Sequence, residues 1–128
     1  MERAFRNAGV SNPLQRARDG EEVARYLKGI GPYADRKRFP LPALLIVDLK
    51  MPRMDGFEVI KWVRSTHPFR RLPIVVMTTS VRKADINRAH DLGANSYLVK
   101  PGRFEELTEA IKMAANYWLN FSARPEIE

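Results

Sequence analysis

Three short apolar runs interrupt a mixed chain: Ala43-Leu44-Leu45-Ile46-Val47, Leu72-Pro73-Ile74-Val75-Val76-Met77 and Tyr97-Leu98-Val99. Each is too short for a typical helix and is rich in β-branched residues. None alternates with polar positions, which predicts strands covered on both faces, as in a parallel sheet. Helical spacing separates them. Val59, Ile60 and Val63 share one face of a segment that starts at Gly56, with Asp55 as its N-cap. Residues 85–92 predict a short helix closed by a C-cap at Gly93. Leu107, Ile111, Ala115 and Trp118 recur at three- or four-residue steps and predict a long amphipathic C-terminal helix. Upstream, Val23, Leu27 and Ile30 give a helix over residues 21–30, and residues 2–8 read as the end of a helix closed by Gly9. Leu14 to Arg18 alternates weakly and reads as a short edge strand.

Strands that alternate with helices predict an α/β architecture, a doubly wound parallel sheet with helices on both faces. In such sheets ligands bind beyond the carboxyl ends of the strands. Here each apolar run ends in a polar residue. The first ends in Asp48, the second in Thr78 and Thr79, the third in Lys100 followed by Pro101. An acid, a hydroxyl and an amine on one rim suit phosphoryl chemistry. A carboxylate can be the nucleophile, an ammonium can neutralise phosphate oxygens, and a hydroxyl can hydrogen-bond one. A divalent metal would bridge carboxylate and phosphate, since both offer hard oxygen ligands.

Composition narrows the classes. The chain has 128 residues, which suits one domain, and no cysteine, which excludes disulfides, zinc–thiolate sites and a cysteine nucleophile. No apolar run is long enough to span a membrane, and no signal-peptide pattern opens the chain, so a cytoplasmic location is expected. The net charge is +7. The excess lies in residues 1–42 and in residues 61–88, where seven basic residues face one acidic residue. Basic runs of five are absent and aromatics are not interleaved, so no nucleic-acid partner is expected.

These residues carry a family resemblance. Leu44-Leu45-Ile46-Val47-Asp48-Leu49-Lys50-Met51-Pro52-Arg53-Met54-Asp55-Gly56-Phe57-Glu58-Val59 resembles the phosphoacceptor segment of response-regulator receiver domains. Pro73 to Thr78 resembles their fourth strand with its switch hydroxyl, and Asp91 to Pro101 their fifth strand with its lysine. The loop from Gly31 to Arg36 and on through Phe39 to Pro42 resembles the single-domain regulators that serve bacterial phytochrome kinases. The resemblance implies a flavodoxin-like sheet and a stand-alone response regulator of a two-component phosphorelay. Asp48 would accept phosphate from a sensor histidine kinase, in the narrower reading a phytochrome. Lys100 would pair with the phosphate. Thr78 and Tyr97 would form the conformational switch. Mg2+ would be held by Asp48 and the Lys50 backbone carbonyl. It further implies a cis bond at Lys100-Pro101. The activity would be signalling, with at most self-catalysed phosphorylation and dephosphorylation, and not turnover of a separate substrate.

The chain departs from that family in one respect. Receiver domains begin with a hydrophobic strand ending in two acidic residues that hold the metal, and neither is present. The expectation is therefore a receiver domain over residues 1–121 that is N-terminally truncated, its first strand missing or supplied from elsewhere, followed by a tail at 122–128. The alternative is a degenerate receiver that acts as a phosphorylation-independent interaction module. Tyr117, Trp118, Leu119 and Phe121 make the end of the last helix apolar on more than one face, which suggests a homodimer contact.

Overall fold

A computed structural model describes residues 2–10 and 14–127. The elements are α1 (Glu2–Asn7), α2 (Gly20–Lys28), β1 (Leu45–Val47), α3 (Gly56–Ser65), β2 (Ile74–Thr78), α4 (Lys83–Leu92), β3 (Ser96–Val99) and α5 (Phe104–Asn116). Short 3-10 turns cover Gly31–Tyr33 and Phe69–Arg71, and a π turn, Tyr117–Phe121, continues α5.

Among the described residues the strands form one parallel sheet in the order β1-β2-β3. Leu45, Ile46 and Val47 pair with Ile74, Val75 and Val76, and Thr78 pairs with Val99. The central strand is buried at all five positions. Its unbroken apolar run has that cause, because helices cover both faces. On one face α2 and α3 pack through Val23, Leu27, Val59, Ile60 and Val63 against Val47, Ile74 and Val76. On the other, Ala4, Phe5 and Ala8 of α1 and Ile111 of α5 pack against Met77. Tail residue Ile127 packs against the first of these clusters.

Local chemistry fixes the helix ends. The Asp55 side chain accepts from the Glu58 amide while Glu58 accepts from the Asp55 amide, a reciprocal box at the start of α3. Asp19 accepts from the Glu22 amide at 2.9 Å and starts α2. The helix ends at Lys28, two residues short of the Ile30 end expected from spacing, because its C-cap Gly29 (φ 68°) takes the left-handed turn that favours glycine. Residues 14–17, read as an edge strand, run as irregular chain. Alternation fits a strand, but a strand is held by ladder bonds, and the segment does not join the three-stranded sheet of the described residues. The Lys100–Pro101 bond is trans, the state that X–Pro bonds ordinarily favour by about 0.5–1 kcal/mol.

The loop after α2 is ordered by an aromatic trio. Tyr26, Tyr33 and Phe39 have ring centroids 5.0, 6.0 and 5.1 Å apart. Arg36 donates to the carbonyls of Tyr26, Leu27 and Phe39, closing the end of α2. The Tyr33 hydroxyl donates to the Glu22 carboxylate. That bond holds Glu22 below its ordinary value of 4.5 and pushes Tyr33 above 10.0. The Glu22 contribution is therefore complete above pH 4.5 and is lost as pH falls through its lowered value; that of Tyr33 is lost only above pH 10. Tyr33→Phe should thus flatten the acid limb of the stability profile, by less than about 1 kcal/mol at this exposed site. Urea midpoints of both proteins across the acid range check this; parallel profiles would contradict it.

Candidate functional site

The parallel register brings the carboxyl ends of all three strands to one rim. Asp48 follows β1, Thr78 ends β2, and Lys100 follows β3, its amide donating to the Thr78 carbonyl at 2.7 Å. The Lys100 ammonium donates to Asp48 Oδ2 at 2.7 Å, and Asp48 Oδ1 accepts from the Lys50 amide at 3.1 Å. The Asp48 side chain is 37% exposed and that of Lys100 23%. A half-exposed pair of this kind contributes about 0–1 kcal/mol to stability. The carboxylate is thus ordered and open to solvent.

Gly56 sets the loop that carries Asp48. Its amide donates to the Leu49 carbonyl at 3.1 Å, and a Cβ there would lie 2.4 Å from the Asp48 carbonyl oxygen. Only glycine lets the start of α3 close on the end of β1. Arg53 holds the loop from the other side by an ion pair to the buried Asp19 at 3.3 Å.

Thr78 is fully buried, and its hydroxyl has no hydrogen-bond partner among the described residues. Such a group costs about 1–3 kcal/mol relative to a satisfied one. Beside it, the Tyr97 hydroxyl donates to the Ser80 carbonyl at 3.0 Å, and the Ser80 hydroxyl donates to Asp85 at 2.6 Å. Tyr97 is thereby tied to the loop after β2. The pairing of Ser80 with Asp85 is a contact that no sequence motif announces. Five-residue spacing across a helix start carries that signal only weakly.

Of the expected residues, Asp48 and Lys100 are in contact, while Thr78 and Tyr97 lie on the neighbouring strands. The metal expectation fits less well. Asp48 and the Lys50 carbonyl supply two kinds of oxygen where Mg2+ takes about six ligands, waters included. Among the described residues no group of three His, Cys, Asp or Glu side chains could hold a metal ion.

Comparison with known proteins assigns the chain to a family. Residues 1–112 match the model of the response regulator receiver domain, and the chain belongs to that family. It is 34% identical over 123 residues to the probable methanogenesis regulatory protein FilR2 of Methanothrix harundinacea, spanning 96% of this chain and 77% of that protein. The crystal structure of RPA3017, a response regulator in red light signaling of R. palustris, superposes with a TM-score of 0.91 at 34% identity, over 98% of this chain and 87% of that one. The phosphorylated cyanobacterial phytochrome response regulator RcpA gives 0.87 at 31% identity, over 98% and 90%. The flavodoxin-like α/β fold expected from the sequence is therefore the fold observed. Metal binding is seen among the relatives: Rcp1, 26% identical with a TM-score of 0.83 over 98% of this chain and 91% of that one, has a Mn2+-bound form. No helix among the described residues is long and apolar enough to cross a membrane.

Proposed function

We propose that this receiver domain relays phosphate in a two-component system, with Asp48 as the phosphoacceptor. The observation that carries this is the 2.7 Å contact between a solvent-reachable carboxylate and the Lys100 ammonium at the rim of the sheet. An Asp48 oxygen attacks the phosphorus of a kinase phosphohistidine. The O–P bond forms, the P–N bond breaks, and its electron pair stays on the imidazole. Lys100 exchanges a carboxylate oxygen for a phosphoryl oxygen, and the charge developing there meets a cation already in place. The Thr78 hydroxyl, without a partner among the described residues, supports a role as donor to the new phosphoryl group, with Tyr97 following as the second part of the switch. Phosphorylation adds nearly two negative charges, enough to bias a two-state element. Mg2+, when bound, supplies further charge neutralisation; Asp48 and the Lys50 carbonyl are its ligands from the described residues, and the site is incomplete without further carboxylates.

The cognate partner in this reading is a sensor histidine kinase, and the red-light and phytochrome associations of RPA3017 and RcpA support one of the phytochrome class. Exposed Met113, Tyr117 and Phe121 support the last helix as the contact of a homodimer. One observation favours the second reading, a phosphorylation-independent interaction module: no group of three metal-ligating side chains occurs among the described residues. Incubation with acetyl phosphate and Mg2+ separates the two. The first reading expects a mass gain of one phosphate, and labelling slower by about 100-fold in Lys100→Met. An unlabelled, folded protein would favour the second.

A further inference from the structure

The loop between β1 and α3 carries the Lys50 amide that holds Asp48 Oδ1, and one of its residues is strained. Arg53 sits at φ 65°, the one non-glycine residue with positive φ among the described residues. A side chain there crowds its own backbone, whereas glycine adopts the same turn freely. Such strain persists where neighbouring contacts over-determine the backbone, and it gathers at functional sites. The contacts that hold Arg53 are ionic. Its guanidinium lies 3.3 Å from Asp19 Oδ2 and 3.8 Å from Glu21 Oε2. The Asp19 side chain is 7% exposed and that of Arg53 60%. Asp19 also anchors α2, because its Oδ1 accepts from the Glu22 amide. One buried carboxylate thus starts a helix with one oxygen and grips the loop with the other. The neighbouring Gly20 has no room for a side chain, since a Cβ there would overlap the Met54 carbonyl oxygen. The start of α2 therefore lies directly on the loop.

We infer that Arg53 is a positioning residue for the phosphoacceptor: paired with Asp19, it locks the loop so that the Lys50 amide stays on Asp48 Oδ1. This role rests on the reading of Asp48 given above. Two residues separate Lys50 from Arg53, and both are stiff. Pro52 has a fixed φ and confines Met51 before it to extended backbone. Met51 and Met54 are seated against the core cluster below. The far end of the loop is closed by the Gly56 amide on the Leu49 carbonyl. A displacement of Arg53 is therefore passed to Lys50 and not absorbed between them. The pair ties the reactive carboxylate to α2, a helix that supplies no rim residue of its own. An arginine at a turn that glycine would take freely has its reason in this tie, because glycine could not reach Asp19.

Three variants test this. Asp19→Asn keeps the cap of α2, since asparagine caps as well as aspartate, and removes the anion. Arg53→Gly removes the cation and relieves the backbone. Arg53→Lys keeps a cation that can reach Asp19. The first readout is amide exchange in the 15N-labelled proteins, which needs no phosphate donor. Exchange at Lys50 is expected to rise by about tenfold in Asp19→Asn and Arg53→Gly, with the Val76 amide of the buried central strand far less affected, and to stay near native in Arg53→Lys. The second readout is labelling by acetyl phosphate with Mg2+. It is expected to slow by about tenfold in the same two variants and to be largely restored in Arg53→Lys. Native exchange at Lys50 in both variants overturns the inference. Equal acceleration at Lys50 and Val76 also overturns it, because the pair would then be a general stabiliser. So does labelling of both variants at the native rate. A native protein that takes no label overturns the phosphoacceptor reading instead, and exchange at Lys50 still decides whether the pair holds the loop.

Discussion

Asp48→Asn is expected to reduce labelling by acetyl phosphate to background while leaving the fold in place. Asparagine matches aspartate in shape. Its carbonyl oxygen can still accept from the Lys50 amide or from Lys100, the two contacts that hold the native side chain at 3.1 and 2.7 Å. What it lacks is the anionic oxygen that attacks phosphorus. The lost ion pair is partly exposed, so the stability change should stay within about 1 kcal/mol. Intact-mass spectra and urea melts of both proteins check the two halves. Labelling of the variant at the native rate would place the acceptor elsewhere. Loss of labelling together with unfolding would identify Asp48 as a structural residue.

The largest effect on stability should come from Arg64, far from the rim. Its guanidinium donates to the carbonyls of Gly93, Arg70 and Leu72 at 2.9, 2.9 and 2.7 Å, and to Asn95 Oδ1 at 2.8 Å. The same Asn95 oxygen accepts from the Ile74 amide, so the network fixes the start of β2. Burial lowers the affinity of Arg64 for its proton, yet arginine remains charged, so the charge is held by neutral oxygens alone. Hydrogen bonds to a charged donor are worth about 1.5–3 kcal/mol each, less where water can replace them. Arg64→Ala should therefore lower the unfolding free energy by about 3 kcal/mol. Arg64→Lys should recover less than half, because one ammonium cannot reproduce the planar fork. Urea denaturation gives both values; a loss below about 1 kcal/mol for the alanine variant would contradict the network's role.

Much of the fold was legible because it rests on local pattern. The β-branched runs around Ile46, Val75 and Leu98 read as strands covered on both faces; all three are strands, but only the central one is buried throughout. The capping role of Asp55 and the stop at Gly93 follow from backbone needs that a few adjacent residues reveal. The rim residues were legible as well, since each ends an apolar run and all three strands point the same way. What sequence could not show depends on distant partners. Arg64 reads as one more charge on a helix, because its acceptors lie six to thirty-one positions away. Tyr33 and Phe39 read as loop residues until the chain folds them onto Tyr26. Leu14 to Arg18 has the pattern of a strand but does not join the sheet of the described residues. The split of the C-terminal helix into α5 and a π turn at Tyr117 has no pattern signal either.

Locating the modification decides whether Asp48 carries the phosphate. The protein is incubated with acetyl phosphate and Mg2+, reduced with borohydride, which converts an acyl phosphate to an alcohol, and sequenced by tandem mass spectrometry. The reduced residue is expected at position 48 and nowhere else. A phosphate found on His67 or His90, or no modification in a protein that remains folded, would contradict it.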